Sequence, residues 1–168
     1  MKSTERWKKQ LKFRRAAGLC VVLAMLLMFA GCAKGIPNTK MINGETFVRE
    51  IEASGLEVTD MLTDEYKDDY YNMYQAESDQ MYVQYFYAKD EMTANYLYNN
   101  DYNDLSEKIT DDCKVDEIMN STFTKLAVTF SDGRCVVVVR SGCTFMYLES
   151  TPEGRSVLEL FLERISYT

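Results

Sequence analysis

Apolar positions recur at helical spacing in some stretches of this chain and alternate, or run unbroken, in others. In residues 44–55, Phe47, Val48 and Ile51 share one helical face, and Gly55 is placed to stop the helix. Leu56-Glu57-Val58-Thr59 alternates and reads as a short strand. Residues 60–75 interleave Asp64, Glu65, Asp68 and Asp69 with Tyr66, Tyr70, Tyr71 and Tyr74. The i, i+4, i+8 spacing of Tyr66, Tyr70 and Tyr74 predicts a helix with these rings on one side. Residues 81–88 are aromatic and β-branched enough for a strand. Residues 90–109 carry Ala94, Tyr98, Tyr102 and Leu105 in one stripe, with Leu97 beside it and Asp90 as the capping residue of a long helix.

The C-terminal half is patterned as a meander. Asp132-Gly133 is a tight-turn signal. A two-residue turn there pairs Phe130 with Cys135, Val128 with Val137 and Leu126 with Val139. Ser141-Gly142 marks a second turn, pairing Val139 with Thr144, Val137 with Met146 and Cys135 with Leu148. This register gathers Leu126, Val128, Phe130, Cys135, Val137, Val139, Thr144, Met146 and Leu148 on one face, all but Thr144 apolar. Lys125, Ala127, Thr129, Arg134, Val136, Val138, Arg140, Cys143, Phe145 and Tyr147 lie on the other, and a slip of one residue exchanges the faces. A last helix starts at Thr151-Pro152, with Leu158, Phe161, Leu162 and Ile165 as its apolar stripe. The predicted fold is α+β: an antiparallel sheet of four to five strands with helices packed on one face.

The first 32 residues follow a different logic. Lys2, Arg6, Lys8, Lys9, Lys12, Arg14 and Arg15 face a single acid, Glu5, and residues 16–31 carry no charge. A membrane-spanning helix needs about 20 apolar residues, so this stretch reads as a signal peptide. Phe29-Ala30-Gly31-Cys32 resembles the lipobox of bacterial lipoproteins, with Phe29 where Leu is usual. The resemblance implies cleavage before Cys32 and lipid on its sulfur. An ordinary secreted protein cut after Ala33 and an uncleaved anchor are the competing readings. The expected organisation is a signal peptide at 1–31, lipidated Cys32 and a tether at 32–43, and one globular domain at 44–168. The chain resembles small Gram-positive bacterial lipoproteins, with no specific family recognised for the domain.

Removing the leader changes the charge balance. Residues 1–31 hold seven of the 19 Lys and Arg and one of the 26 Asp and Glu, leaving 12 and 25 and a formal charge of −13. Nucleic acid is not an expected partner, because phosphate contacts need a basic patch. The expected partners are the membrane, through lipid on Cys32, and an unidentified protein, peptide or glycan.

Histidine is absent, which removes the commonest general base and the Ser-His-Asp and Cys-His arrangements. No phosphate-cradling glycine loop is present, and no cofactor is expected. Asp60, Asp64 and Asp68 form a weak candidate for a divalent cation, without the spacing of an EF-hand loop. Of the three cysteines beyond Cys32, Cys135 is expected in the core, and Cys113 is a possible partner for Cys143. Ten of the 12 tyrosines lie between Tyr66 and Tyr102. Aromatics bring large contact area with few rotatable bonds, so Tyr66, Tyr70, Tyr74, Tyr82, Phe145 and Tyr147 are the candidate partner-binding residues. The expected role is a non-enzymatic binding or interaction module. The alternatives are an inhibitor or accessory subunit of an envelope complex, or a carboxylate-based hydrolase.

Overall fold

The computed structural model describes residues 41–167, all within one compact unit. The expected signal peptide, Cys32 and most of the tether lie outside the described residues. The chain runs α1 (Gly44–Glu52), β1 (Val58–Asp60), β2 (Tyr70–Glu77), β3 (Met81–Ala88), α2 (Glu91–Ser106), β4 (Lys114–Met119), β5 (Phe123–Thr129), β6 (Cys135–Ser141), β7 (Thr144–Ser150) and α3 (Arg155–Arg164). Seven strands form one antiparallel sheet in the order β1-β2-β3-β7-β6-β5-β4. The α+β class stands, with seven strands where four to five were expected.

The helices do not share one face. Phe47 and Ile51 of α1 and Leu158, Phe161 and Leu162 of α3 pack on Val83, Tyr85, Val137, Val139, Met146 and Leu148. On the opposite face, Tyr98 and Leu105 of α2 pack on Leu126, Val128, Val136, Val138 and Phe145. Strand β6 is therefore buried at every position. Its Val136–Val139 run is apolar on both faces because helices cover both. On the first face the Phe47 and Tyr85 rings stack with centroids 4.6 Å apart, and Phe161 meets Phe47 edge-on at 6.0 Å.

The predicted helix over residues 60–75 is instead a turn followed by β2. Tyrosines suit a strand, and β3 offers them a ladder. A register shift at Tyr71, between the Tyr70↔Ala88 and Asn72↔Tyr87 pairs, sends Tyr70 and Tyr74 to opposite faces. Tyr70 lies against Phe86, and Tyr74 stacks on Phe47.

The predicted meander register is also one residue out at its first turn. Gly133 adopts φ +89°, Phe130 N–H donates to the Arg134 carbonyl at 2.9 Å, and Gly133 N–H donates to the Phe130 carbonyl at 2.9 Å. This three-residue turn with a left-handed glycine pairs Thr129 with Cys135 and Leu126 with Val138. Leu126, Val128 and Phe130 consequently join Val136 and Val138 on the α2 face. Lys125 goes to the other face, buried, with its ammonium 2.9 Å from Asp116. At the second turn Ser141 pairs with Thr144, and Cys135 pairs with Ser150, not Leu148. That slip is two residues, so face membership survives.

Asp90 caps α2 as expected, accepting from Thr93 N–H at 2.8 Å. The last helix begins at Arg155, later than expected. Thr151 Oγ1 accepts from Gly154 N–H at 3.3 Å in a preceding turn. A Cβ at Gly154 would lie 2.3 Å from the Gln80 carbonyl oxygen, which requires glycine there.

The two ends of the sheet differ. One end carries the chain entry and the β6–β7 turn: a Cβ on Gly142 would lie 3.2 Å from Met41 Sδ. The other carries the β5–β6 loop, the β2–β3 turn and the end of α2, with Thr151 N–H donating to the Gln80 carbonyl at 2.9 Å. Cys113 precedes β4 at this second end and Cys143 sits in the β6–β7 turn at the first, so the considered disulfide does not form; Cys113, Cys135 and Cys143 are free thiols.

Phe161 is fully buried while its neighbour Leu160 is largely exposed. Phe161→Ala should cost about 3–5 kcal/mol of stability and Leu160→Ala less than about 0.5 kcal/mol, read as urea unfolding midpoints. Equal effects would show that α3 does not pack as described.

Candidate functional site

A cleft of about 480 Å³ opens between the C-terminal half of α2 and the sheet, at the end opposite Met41. Its floor is Tyr82 and Gln84 from β3, Val136 from β6 and Tyr147 from β7. These side chains line it because alternate residues of each strand face α2. The Tyr82 and Tyr147 rings meet edge-to-face with centroids 6.2 Å apart. The α2 wall is Asp101, Asp104 and Leu105, which share one helix face, and Lys108 joins them from the turn just after the helix. The β5–β6 loop supplies Phe130 and Arg134, and Glu149 closes the rim.

The charges in this cleft are unequally satisfied. Arg134 is committed to Asp132, with Nε 2.7 Å from its carboxylate, and reaches Glu149 at 3.6 Å. It also lies over the Phe130 ring, 5.1 Å from its centre. Tyr147 donates its hydroxyl proton to Glu149 at 3.0 Å. Asp101 is half-buried and makes no hydrogen bond or ion pair with the described residues. Burial, then the neighbouring Asp104 charge, hold its carboxyl above its ordinary value, against the pull of Lys108. The Tyr147 phenol is likewise raised, first by burial, then by the charge of Glu149 and its hydrogen bond, and further by Asp101. The arrangement is an aromatic floor in a net negative field.

The structure brings together two of the six predicted binding residues, Tyr82 and Tyr147. Phe145 is buried beneath α2 beside Phe86, with ring centroids 5.9 Å apart, and is not a surface residue. Tyr74 belongs to the α1-side core. Tyr70 and Tyr66 form a separate pair at the other end of the sheet, 6.5 Å apart. Asp60, Asp64 and Asp68 do not converge. Asp60 accepts from Leu62 N–H at 2.9 Å, Asp64 pairs with Lys67 at 2.7 Å, and Asp68 points to solvent. Among the described residues, no group of three or more Cys, Asp or Glu side chains is placed to hold a metal ion.

The acidic and basic residues of the cleft escape a reading based on tyrosine content alone. One signal was available. Asp101 falls on the inward stripe of α2, between Tyr98 and Leu105, where an apolar residue is expected.

No protein-family model matches the chain, and no curated protein matches it. Among solved structures it is similar to a GTP-binding regulator from Thermotoga maritima, with 14% identity over 74% of this chain and 85% of that one and a TM-score of 0.44.

Asp101 yields a stability prediction with a defined sign. Its folded-state value is raised, so the folded protein holds the proton more readily than the unfolded chain. Stability at this site therefore falls as pH rises from the ordinary value of 3.8 through the raised one. Asp101→Asn should be more stable than the parent at pH 7, and the gap should close as pH is lowered through that window. Paired urea titrations from pH 4 to 7 test this; a gap that widens at low pH contradicts the described burial of Asp101.

Proposed function

We propose that this chain is a bacterial lipoprotein, anchored through Cys32 on the extracytoplasmic face of the membrane, whose domain binds a partner in the cleft beneath α2. The observation that carries this reading is the position of the cleft at the end of the sheet opposite Met41. The chain enters the fold at Ile42, whose carbonyl accepts from the Tyr85 hydroxyl at 2.9 Å and whose N–H donates to the Tyr167 hydroxyl at 3.4 Å. Eight residues lie between Cys32 and Met41, a reach of about 30 Å when fully extended. The cleft thus lies at the end of the domain away from the point where the tether joins it.

Two acyl chains make such attachment stable where one holds marginally. The membrane-extracted protein should begin at Cys32 and carry a lipid-sized mass increment there, and Cys32→Ala should release the domain from the membrane. Retention of Cys32→Ala in the membrane would overturn the anchoring.

A photo-activatable residue tests the cleft on whole cells expressing the full chain. Placed at Asp104 on the cleft wall, it should yield a discrete crosslinked product. Placed at Glu163 on the exposed side of α3, it should yield none. Equal products from both positions, or none from Asp104, would sink the cleft as the binding site.

A second reading, an accessory subunit of an envelope complex, draws support from β4. It is an edge strand with Val115 and Met119 47% and 66% exposed. Open edges of this kind accept an added strand from a partner.

A further inference from the structure

We propose that the cleft recognises an organic cation, the guanidinium or ammonium of a basic side chain on a peptide, seated against the Tyr82 and Tyr147 rings with Asp101 as its counter-ion. The inference rests on the cleft being the binding site and names what that site takes.

Three observations carry it. The first is the unpaired carboxylate. Asp101 occupies the sheet-facing stripe of α2, is half-buried, and has no ion-pair or hydrogen-bond partner among the described residues. Partial burial of this carboxylate, beside the charge of Asp104, disfavours its ionised form, and an incoming cation offsets that cost.

The second is the floor. Tyr82 and Tyr147 present ring surface in a cavity about 480 Å³ in volume. Aromatic faces attract cations through the ring quadrupole, and more strongly where water is partly excluded. The two rings and the carboxylate offer a cation both partners it needs.

The third is how the remaining charges are spent. The Arg134 cation is occupied by Asp132 and Glu149, so it does not neutralise Asp101. Asp104 adds a second negative charge on the same helix face, and Lys108 offsets only one. A formal charge of −13 on the chain from Cys32 onward favours approach of a basic segment from a distance. A neutral glycan would use the rings and could donate hydroxyls to Asp101, but would leave its charge uncompensated.

The test uses the full-length chain in detergent, 15N-labelled, titrated with capped Gly-Arg-Gly, capped Gly-Lys-Gly, the neutral isostere capped Gly-citrulline-Gly, and chitobiose as a neutral glycan. The Arg and Lys peptides should shift the amide signals of Asp101, Leu105 and Tyr147, and the citrulline peptide should bind at least tenfold more weakly. Asp101→Asn, which is expected to fold, should weaken the Arg peptide at least tenfold, and Tyr82→Leu should weaken it severalfold. Binding should also fade as pH is lowered through the Asp101 titration. The titratable and charged groups lining the cleft with that carboxylate are Asp104 on α2, Lys108 in the turn after it, Tyr82 on β3, Tyr147 and Glu149 on β7, and Arg134 on the β5–β6 loop.

Equal binding of the Arg and citrulline peptides, or undiminished binding by Asp101→Asn, would overturn the cation assignment and leave the cleft as the site. Binding of chitobiose without the basic peptides would do the same and point to a glycan. Signals that move only outside the cleft would overturn both.

Discussion

Two-sided burial of β6 is the constraint on which the rest of this structure depends. A strand covered on both faces has no polar side, and Val136, Val137, Val138 and Val139 meet that demand in sequence. Each neighbour in the run then belongs to a different core. Val137 and Val139 pack with α1 and α3, while Val136 and Val138 pack under α2. Hydrophobic burial is non-directional, so the ladder to β5 and β7 decides which valine faces which helix.

The cleft is a by-product of that layering. Two helices share one face of a seven-stranded sheet, but α2 alone covers the other. Beyond the part of the sheet that Tyr98 and Leu105 seal, the floor stays open, and Tyr82 and Tyr147 are left half-buried there. Asp101 and Asp104 reach this space because they share the helix face of Leu105 in the last turns of α2, which line the cleft. The same geometry explains why Phe145, two residues before Tyr147 on the same strand face, is sealed while Tyr147 is not.

Much of the fold was legible from periodicity. The stripes Phe47/Val48/Ile51 and Leu158/Phe161/Leu162/Ile165 mark their helices, and all of these residues are buried except Val48, which is partly so. Asp90 announces its cap through a side chain whose geometry is local. The errors share a cause. Asp132-Gly133 fits a two-residue and a three-residue turn equally well, and the choice depends on which register packs better across the sheet. The Tyr66/Tyr70/Tyr74 spacing fits a helix, but a bulge at Tyr71 in a paired strand sends Tyr70 and Tyr74 to opposite faces. Strand β4 is almost wholly exposed along its length, so it left no apolar pattern to read.

From composition and order of residues alone came the leader pattern ending in Cys32, the acidic balance beyond it, the α+β class and the tyrosine-rich middle. These are local or additive properties that need no knowledge of neighbours. Tertiary structure alone decided that helices cover both faces, that Phe145 is core, and that Tyr82, Tyr147 and Asp101 meet. They meet because long-range pairing brings β7 beside β3, and α2, which follows β3 in the chain, packs back across the sheet. Such pairing is fixed by how whole faces pack, which no single stretch of sequence encodes.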